Sequence, residues 1–255
     1  MVQDGIGAQF LGWLDSLGDG AIAVIAHKNG DMDTIASATV LASMIGTRAR
    51  ATGIHVDRTS TRMLARTGIA FRRMDPRRPT LPRSLSGIVA VDVGGPSQLG
   101  IALPVDVPLF IVDHHANSSD QWPDHAIAPD SRASSTCEMV LDILLSRSTT
   151  LRAEWAEMLY AGIVTDTGRF RHGSSSGLRA AGRLMGASDI DTDDILTTIE
   201  GSGMPADQRK RILRSMTGME IHHGGGLLVT TPTGGSHESR IASSMVGSGA
   251  DASIV

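Results

Sequence analysis

Three apolar runs in this chain each end in residues that carry charge or bind cations. Ala21-Ile22-Ala23-Val24-Ile25-Ala26 leads into His27-Lys28-Asn29-Gly30-Asp31-Met32-Asp33, Gly87-Ile88-Val89-Ala90-Val91 into Asp92, and Val107-Pro108-Leu109-Phe110-Ile111-Val112 into Asp113-His114-His115. An uninterrupted apolar run of strand length marks a strand buried on both faces, as in the parallel sheet of an α/β protein. Such sheets keep their sites outside the carboxyl ends of the strands. Any one of these ends has a plainer reading. Asp33 could be a helix N-cap with Asp31 favoured by the helix dipole, and Asp113 a turn or cap residue. Three ionisable ends on one rim favour a site.

The segments between the runs supply helices. Phe10 to Leu17 reads as a short amphipathic helix ending at Gly18, and Thr34 to Ile45 as a buried helix closed by Gly46. Ser135-Thr136-Cys137-Glu138 has the spacing of a capping box opening a helix through Leu145. Trp155 to Ile163 is a further helix, and it runs into Val164-Thr165-Asp166-Thr167-Gly168-Arg169-Phe170. Asp166 stands in an apolar setting, where a cation would offset the cost of an unpaired carboxylate. Arg171, His172 and Ser174 to Ser176 form a polar loop able to meet substrate oxygens. Gly94 and Gly95 after Asp92 would let the backbone turn sharply.

Ile54-His55-Val56 reads as a short strand. From Arg58 to Arg83 arginines crowd, either to face phosphates or as a solvated helix and loop; Phe71 is the lone aromatic there for base stacking.

Composition narrows the class. With 255 residues, 41% hydrophobic and 20% charged, the chain is an ordinary soluble type, one large domain or one large and one small. It holds no apolar run of about 18 residues, and Met1-Val2-Gln3-Asp4-Gly5 lacks the basic start and apolar core of a secretory signal. A cytoplasmic protein without a membrane partner is expected. The single cysteine, Cys137, forms no internal disulfide and reads as a small core residue. A net charge of −4 argues against a broad electrostatic grip on long duplex nucleic acid.

Four ordered motifs now carry a resemblance: His27-x3-Asp31-x-Asp33, Asp92 after an apolar strand, Asp113-His114-His115, and Gly162-Ile163-x2-Asp166-Thr167-Gly168-x-Phe170. Over roughly residues 20 to 185 the chain resembles the DHH phosphoesterase superfamily, in its RecJ-like and nano-RNase and pAp-phosphatase-like branch. The resemblance implies two divalent cations, usually Mn²⁺, with Mg²⁺ or Co²⁺ as alternatives. It places one ion on His27, Asp31 and Asp92, and the other on Asp33, Asp92, His114 and Asp166, with Asp92 as the bridge. Mixed carboxylate and imidazole sites suit Mn²⁺ independently of the family. The implied reaction is two-metal phosphoester hydrolysis with a metal-bridging hydroxide as nucleophile. In it His115 meets the scissile phosphate or assists the leaving oxygen, Asp113 supports the histidines, and Arg169 and His172 join His115 in holding substrate.

The expected fold is α/β, a parallel sheet flanked by helices over residues 1–188. A linker and a second, smaller and incomplete α/β lobe would follow over 189–255. Gly186 to Asp194 reads as the linker, Ala206 to Met219 and Glu238 to Val246 as helices, and Gly226 to Thr231 and Ala252 to Val255 as strands. The glycine-rich substrate motif of related lobes is missing, since Gly224-Gly225-Gly226 comes too early and His222 and His223 only precede it. This points to a gene fragment, a shortened chain or a divergent lobe. The expected substrate is a short single-stranded oligonucleotide or a small nucleotide, and a homodimer is compatible with the pattern. An inorganic pyrophosphatase is the alternative enzyme, disfavoured because Lys210 is the lone lysine of the C-terminal part. A non-catalytic nucleotide-binding regulatory module is the alternative from another class.

Overall fold

The computed structural model describes residues 5–115, 122–129, 132–201, 206–232 and 238–255. Met1 to Asp4, most of the stretch read for a secretory signal, lie outside the described residues. No described helix is long and apolar enough to cross a membrane. The chain divides into two compact units, Met1–Gly201 and Ser202–Val255.

The first unit runs α1 (Ile6–Ser16), β1 (Ala21–Ala26), α2 (Met32–Ile45), β2 (Ala49–Gly53), α3 (Arg58–Thr67), β3 (Arg72–Arg73), β4 (Leu85–Val91), a 3-10 turn (Pro96–Leu99), β5 (Leu109–Val112), β6 (Ala126–Ile127), α4 (Thr136–Ser146), α5 (Ala153–Asp166), α6 (Ser175–Ser188) and α7 (Thr192–Glu200). Its six strands are all parallel, in the order β3-β2-β1-β4-β5-β6. From β1 the order runs to β2 on one side, and from β4 to β5 on the other. The carboxyl ends of β1 and β4 therefore border the crevice where an open parallel sheet takes its ligands.

Side chains alternate between the two sheet faces. Ile22, Val24, Ala26, Val89, Val91, Phe110 and Val112 join α1, α2, α4 and α5 in one core, while Ala23, Ile25, Ile88, Ala90, Leu109 and Ile111 pack with Met74 and Leu99 in a second. Phe10 of α1 meets Phe110 of β5 edge to face, ring centroids 5.2 Å apart, an arrangement that adds about 0.5–1.5 kcal/mol beyond area burial.

Three local readings change. The strand beside β1 is Ala49–Gly53, not Ile54-His55-Val56, because Ile22 to Ile25 take Ala49 to Thr52 as their partners. The left-handed turn after β4 falls on Asp92 itself, φ 57°, whereas Gly95 is extended at φ −176°. Ser135 caps α4 by accepting the Glu138 N–H at 3.3 Å, but the Glu138 carboxylate takes the N–H of Ser134 instead of closing the box on Ser135.

The arginine stretch opens with α3, whose N-cap Asp57 accepts the Ser60 N–H at 2.6 Å. Arg62 Nε donates to the Thr198 carbonyl of α7 at 2.7 Å, and its Nη2 reaches Ile199 O. Arg66 grips Glu157 of α5 at 2.8 Å and also Asp194 of α7. These two arginines hold α7, which lies partly in the stretch read as a linker, onto the body of the first unit.

The second unit comprises α8 (Ala206–Thr217), β7 (Glu220–Gly224), β8 (Leu227–Thr231), α9 (Glu238–Gly247) and β9 (Ala252–Ser253). β8 pairs antiparallel with β7 and parallel with β9, and the buried side chains of this unit include Ile212, Ile241 and Met245.

Candidate metal centre

At the end of β1 the chain turns so that the His27 Nδ1 accepts the N–H groups of Asn29 and Gly30 at 3.1 and 3.3 Å. The other ring nitrogen, Nε2, faces Asp31 Oδ2 at 3.1 Å and Asp92 Oδ2 at 3.4 Å. Gly30 sits at φ 60°, and a Cβ there would lie 2.0 Å from the His55 carbonyl oxygen, so the turn requires glycine. Asp31 caps α2 by accepting the Thr34 N–H at 3.3 Å, and it is also within reach of His27. The N-cap is therefore Asp31 and not Asp33, which lies inside the first turn of α2 and is free to face the cluster. Thr34 ties the rim together, accepting the His27 N–H and donating to the Val91 carbonyl at the end of β4.

Asp33, in the first turn of α2, is 2% exposed, and Asp92 is 4% exposed. Buried carboxylates need partners. Asp33 accepts the N–H groups of Thr136 and Cys137 at 2.7 and 2.9 Å, and Asp92 Oδ1 accepts the Thr136 hydroxyl at 3.0 Å. The amino end of α4 therefore points its orphan donors and its dipole at the carboxylate cluster. His114 Nε2 lies 3.5 Å from Asp92 Oδ1 and 3.5 Å from Asp166 Oδ2 at the end of α5. His115 is turned aside, half-exposed, with its Nδ1 at 2.6 Å from Asp113 Oδ1.

The electrostatics follow from this crowding. Burial would lower the His27 imidazole, yet Asp31 and Asp92 push it up to about 10. His114 is likewise pushed up to about 9 against its burial by Asp92, Asp33 and Asp166. Burial and the charges of Asp92 and Asp166 drive the Asp33 carboxyl up to about 8. Burial also acts to raise Asp92, but His114 and His27 hold it well below the usual carboxylate range. Asp166 is raised by burial and by its acidic neighbours. Bound cations would supply the charge balance that these crowded carboxylates call for.

Three groups bring ligand atoms within 4.8 Å of one another: His27, Asp31 and Asp92; Asp33, His114 and Asp166; and Asp92, His114 and His115. Oxygen and imidazole donors in this number fit divalent cations of the Mn²⁺ or Mg²⁺ kind. Arg169 and His172 are not in these groups. Arg169 pairs with Glu200 of α7, and His172 is exposed beside Gly168. Gly168, Arg169 and Phe170 are three successive residues at positive φ, which carries the chain sharply away after Asp166.

Residues 21–163 match the model of the DHH family N-terminal domain, more than half of the chain. The chain belongs to the DHH family. The DHH match ends just before Asp166, which α5 nonetheless delivers to the same cluster. Relatives include the bifunctional oligoribonuclease and PAP phosphatase NrnA of Thermus thermophilus, 28% identical over 145 residues, covering 56% of this chain and 43% of that protein. The protein of the same name from Bacillus subtilis is 37% identical over 87 residues, 32% of this chain and 27% of that one. This DHH chain thus aligns with less than half the length of these relatives. An exopolyphosphatase-related protein from Bacteroides fragilis shares the fold, with a TM-score of 0.67 at 17% identity over 92% of this chain and 71% of that one.

Thr136, which bonds to both Asp92 and Asp33, is a residue of this cluster that the sequence motifs did not single out. Its only local signal is a capping motif. The carboxylates that it serves lie 44 and 103 residues away in sequence.

Proposed function

We propose that this DHH-family chain is a divalent-metal-dependent phosphoesterase that hydrolyses short oligonucleotides or small nucleotides, with Mn²⁺ as an ion that its carboxylate and imidazole ligands suit. The observation that carries the reading is the position of Asp92: Oδ2 faces His27 and Oδ1 faces His114, so one carboxylate serves two ligand sets. His27, Asp31 and Asp92 would hold one ion, and Asp33, Asp92, His114 and Asp166 the other. Bound there, two cations supply Lewis acidity towards phosphoryl oxygens and an acidified water.

The chain's own residues complete the chemistry. Asp113 keeps the His115 ring oriented through its Nδ1, which leaves Nε2 to meet a phosphate oxygen or to give a proton to the leaving oxygen. His115 is half-exposed, as a group that must reach substrate has to be. Thr136 holds Asp92, and the peptide N–H groups of α4 hold Asp33. The oligoribonuclease and phosphatase named among the relatives act on the substrate class proposed here.

Release of phosphate or mononucleotide with Mn²⁺ from a panel of dinucleotides, nucleoside bisphosphates, cyclic dinucleotides and pyrophosphate tests this. Hydrolysis of a nucleotide is expected, and Asp92→Ala should abolish it while lowering the bound metal per chain. Turnover of pyrophosphate alone would favour the pyrophosphatase reading. Metal binding without any turnover would overturn the enzyme reading in favour of a binding module.

A further inference from the structure

We propose that Lys28, Asn29 and Gln98 form an anion subsite beside the metal centre, holding a second phosphate group of the substrate while the first sits on the cations. The proposal rests on the phosphoesterase reading above and narrows its substrate class to molecules with two phosphates.

A cavity of about 380 Å³ opens over the ligand cluster, and beyond the proposed metal-binding side chains and His115 its wall is made by these three residues. All three are exposed. Gln98 has a fixed orientation: its Oε1 accepts the Gly94 N–H at 2.9 Å. Only the oxygen end of the amide satisfies that donor, so the NH₂ group is the end left for a ligand. The Gln98 carbonyl in turn accepts the Lys28 N–H at 2.8 Å, which locks the loop after β4 to the loop after β1.

The stem of Lys28 packs on Gly100, where an added Cβ would approach Lys28 Cβ to 3.1 Å and Ile54 Cδ1 to 2.6 Å. Among the described residues no carboxylate lies within ion-pair distance of the Lys28 ammonium. Lys28 is also the single lysine of the first unit.

The chemistry of the wall selects its ligand. An ammonium offers three donors and no acceptor, and the Gln98 amide adds two more N–H groups. Lysine binds phosphate as a point charge, and charge-assisted bonds of this kind are the stronger ones. Lys28, Asn29 and Gln98 include no aromatic face on which a base could stack. The wall therefore suits a second phosphate on the sugar, as in a nucleoside bisphosphate or a 5′-phosphorylated dinucleotide.

The test is calorimetric binding of non-hydrolysable phosphonate analogues of a nucleoside bisphosphate and a nucleoside monophosphate to the metal-loaded full chain. Wild type should prefer the bisphosphate by about tenfold or more. Lys28→Met, which keeps the stem, and Gln98→Glu, which keeps the acceptor for Gly94, should each remove most of that preference. Lys28→Arg should retain it. Metal content measured on each variant separates loss of the subsite from loss of the centre. Equal affinity of wild type for both analogues, or an undiminished preference in Lys28→Met and Gln98→Glu, would overturn the subsite. Because binding is read without turnover, a chain that shows the preference yet hydrolyses nothing would refute the phosphoesterase reading and leave the subsite standing.

Discussion

Thr136 donates its hydroxyl hydrogen to Asp92 Oδ1 at 3.0 Å, while its own peptide N–H donates to Asp33 Oδ2 at 2.7 Å. One residue at the start of α4 thus sets the position of two buried carboxylates from different segments. Thr136→Val keeps the shape and the N–H but leaves Asp92 short of a donor. Hydrogen bonds to charged groups contribute about 1.5–3 kcal/mol, so the variant should bind Mn²⁺ roughly tenfold or more weakly by calorimetry. Thr136→Ser should restore the affinity. Identical metal binding by the valine and serine variants would refute the role.

Gly162 of α5 lies against Cys137 of α4, and a Cβ on it would meet the Cys137 Sγ at 2.3 Å and Asp33 Oδ1 at 3.2 Å. Gly162→Ala should destabilise the fold by about 1–3 kcal/mol, the usual range for overpacking. Adding Cys137→Ala removes the sulfur and should recover part of the loss, read as a coupling in a denaturation double-mutant cycle. Strict additivity would show that the contact is not the cause.

Proton and metal compete for this centre. In the metal-free protein His27 is raised to about 10 and His114 to about 9. A raised histidine stabilises the fold fully below its unfolded value, about 6.5, and that contribution is lost as pH climbs through the folded value. Asp33, raised to about 8, acts in the same direction. The depressed Asp92 acts oppositely, losing its contribution only in acid. The melting temperature of the metal-free protein should therefore fall between about pH 6.5 and about pH 10. Metal takes deprotonated ligands, so the gain from Mn²⁺ should widen over the same interval. Free ion at roughly a hundred times its Kd would add about 2.7 kcal/mol. A gain that narrowed as pH rose would contradict this.

Arg66 spans Glu157 of α5 and Asp194 of α7, with its side chain 24% exposed. Arg66→Met keeps most of the stem and removes both pairs. Global stability should drop by no more than about 1 kcal/mol, because surface-facing pairs contribute little. Amide exchange within α7 should nevertheless quicken more than that in β1 or β4. Uniform exchange rates across the first unit would show that the clamp is not local.

The strands ending in His27, Asp92 and Asp113 were legible in the sequence because each is a continuous apolar run stopped by a charge. β2 was not. Its residues Ala49-Arg50-Ala51-Thr52-Gly53 hold a single β-branched side chain, Thr52, and no aromatic one, and small residues serve there because the strand lies beside β1, under α2. The reach of α5 to Asp166 was hidden for a different reason: the apolar pattern fades at Val164, but the Thr167 N–H still bonds to the Ile163 carbonyl and closes the last turn. Arg62, Arg66 and Thr136 find their partners across long stretches of chain, and periodicity or local spacing carries no trace of such pairings. The cap of α2 was legible only to within a turn: the sequence offered Asp33 for it, and the residue that takes the Thr34 N–H is Asp31, with Asp33 inside the first turn.

The proposed ligands are strung along the chain from His27, just after the first strand, to Asp166, the last residue of α5. During synthesis the pieces emerge in that order. A growing chain that has delivered β1, α2 and β4 owns His27, Asp31 and Asp92, enough for one ion, long before His114 and Asp166 can claim another. The second ligand set would therefore be complete only once α5 has docked.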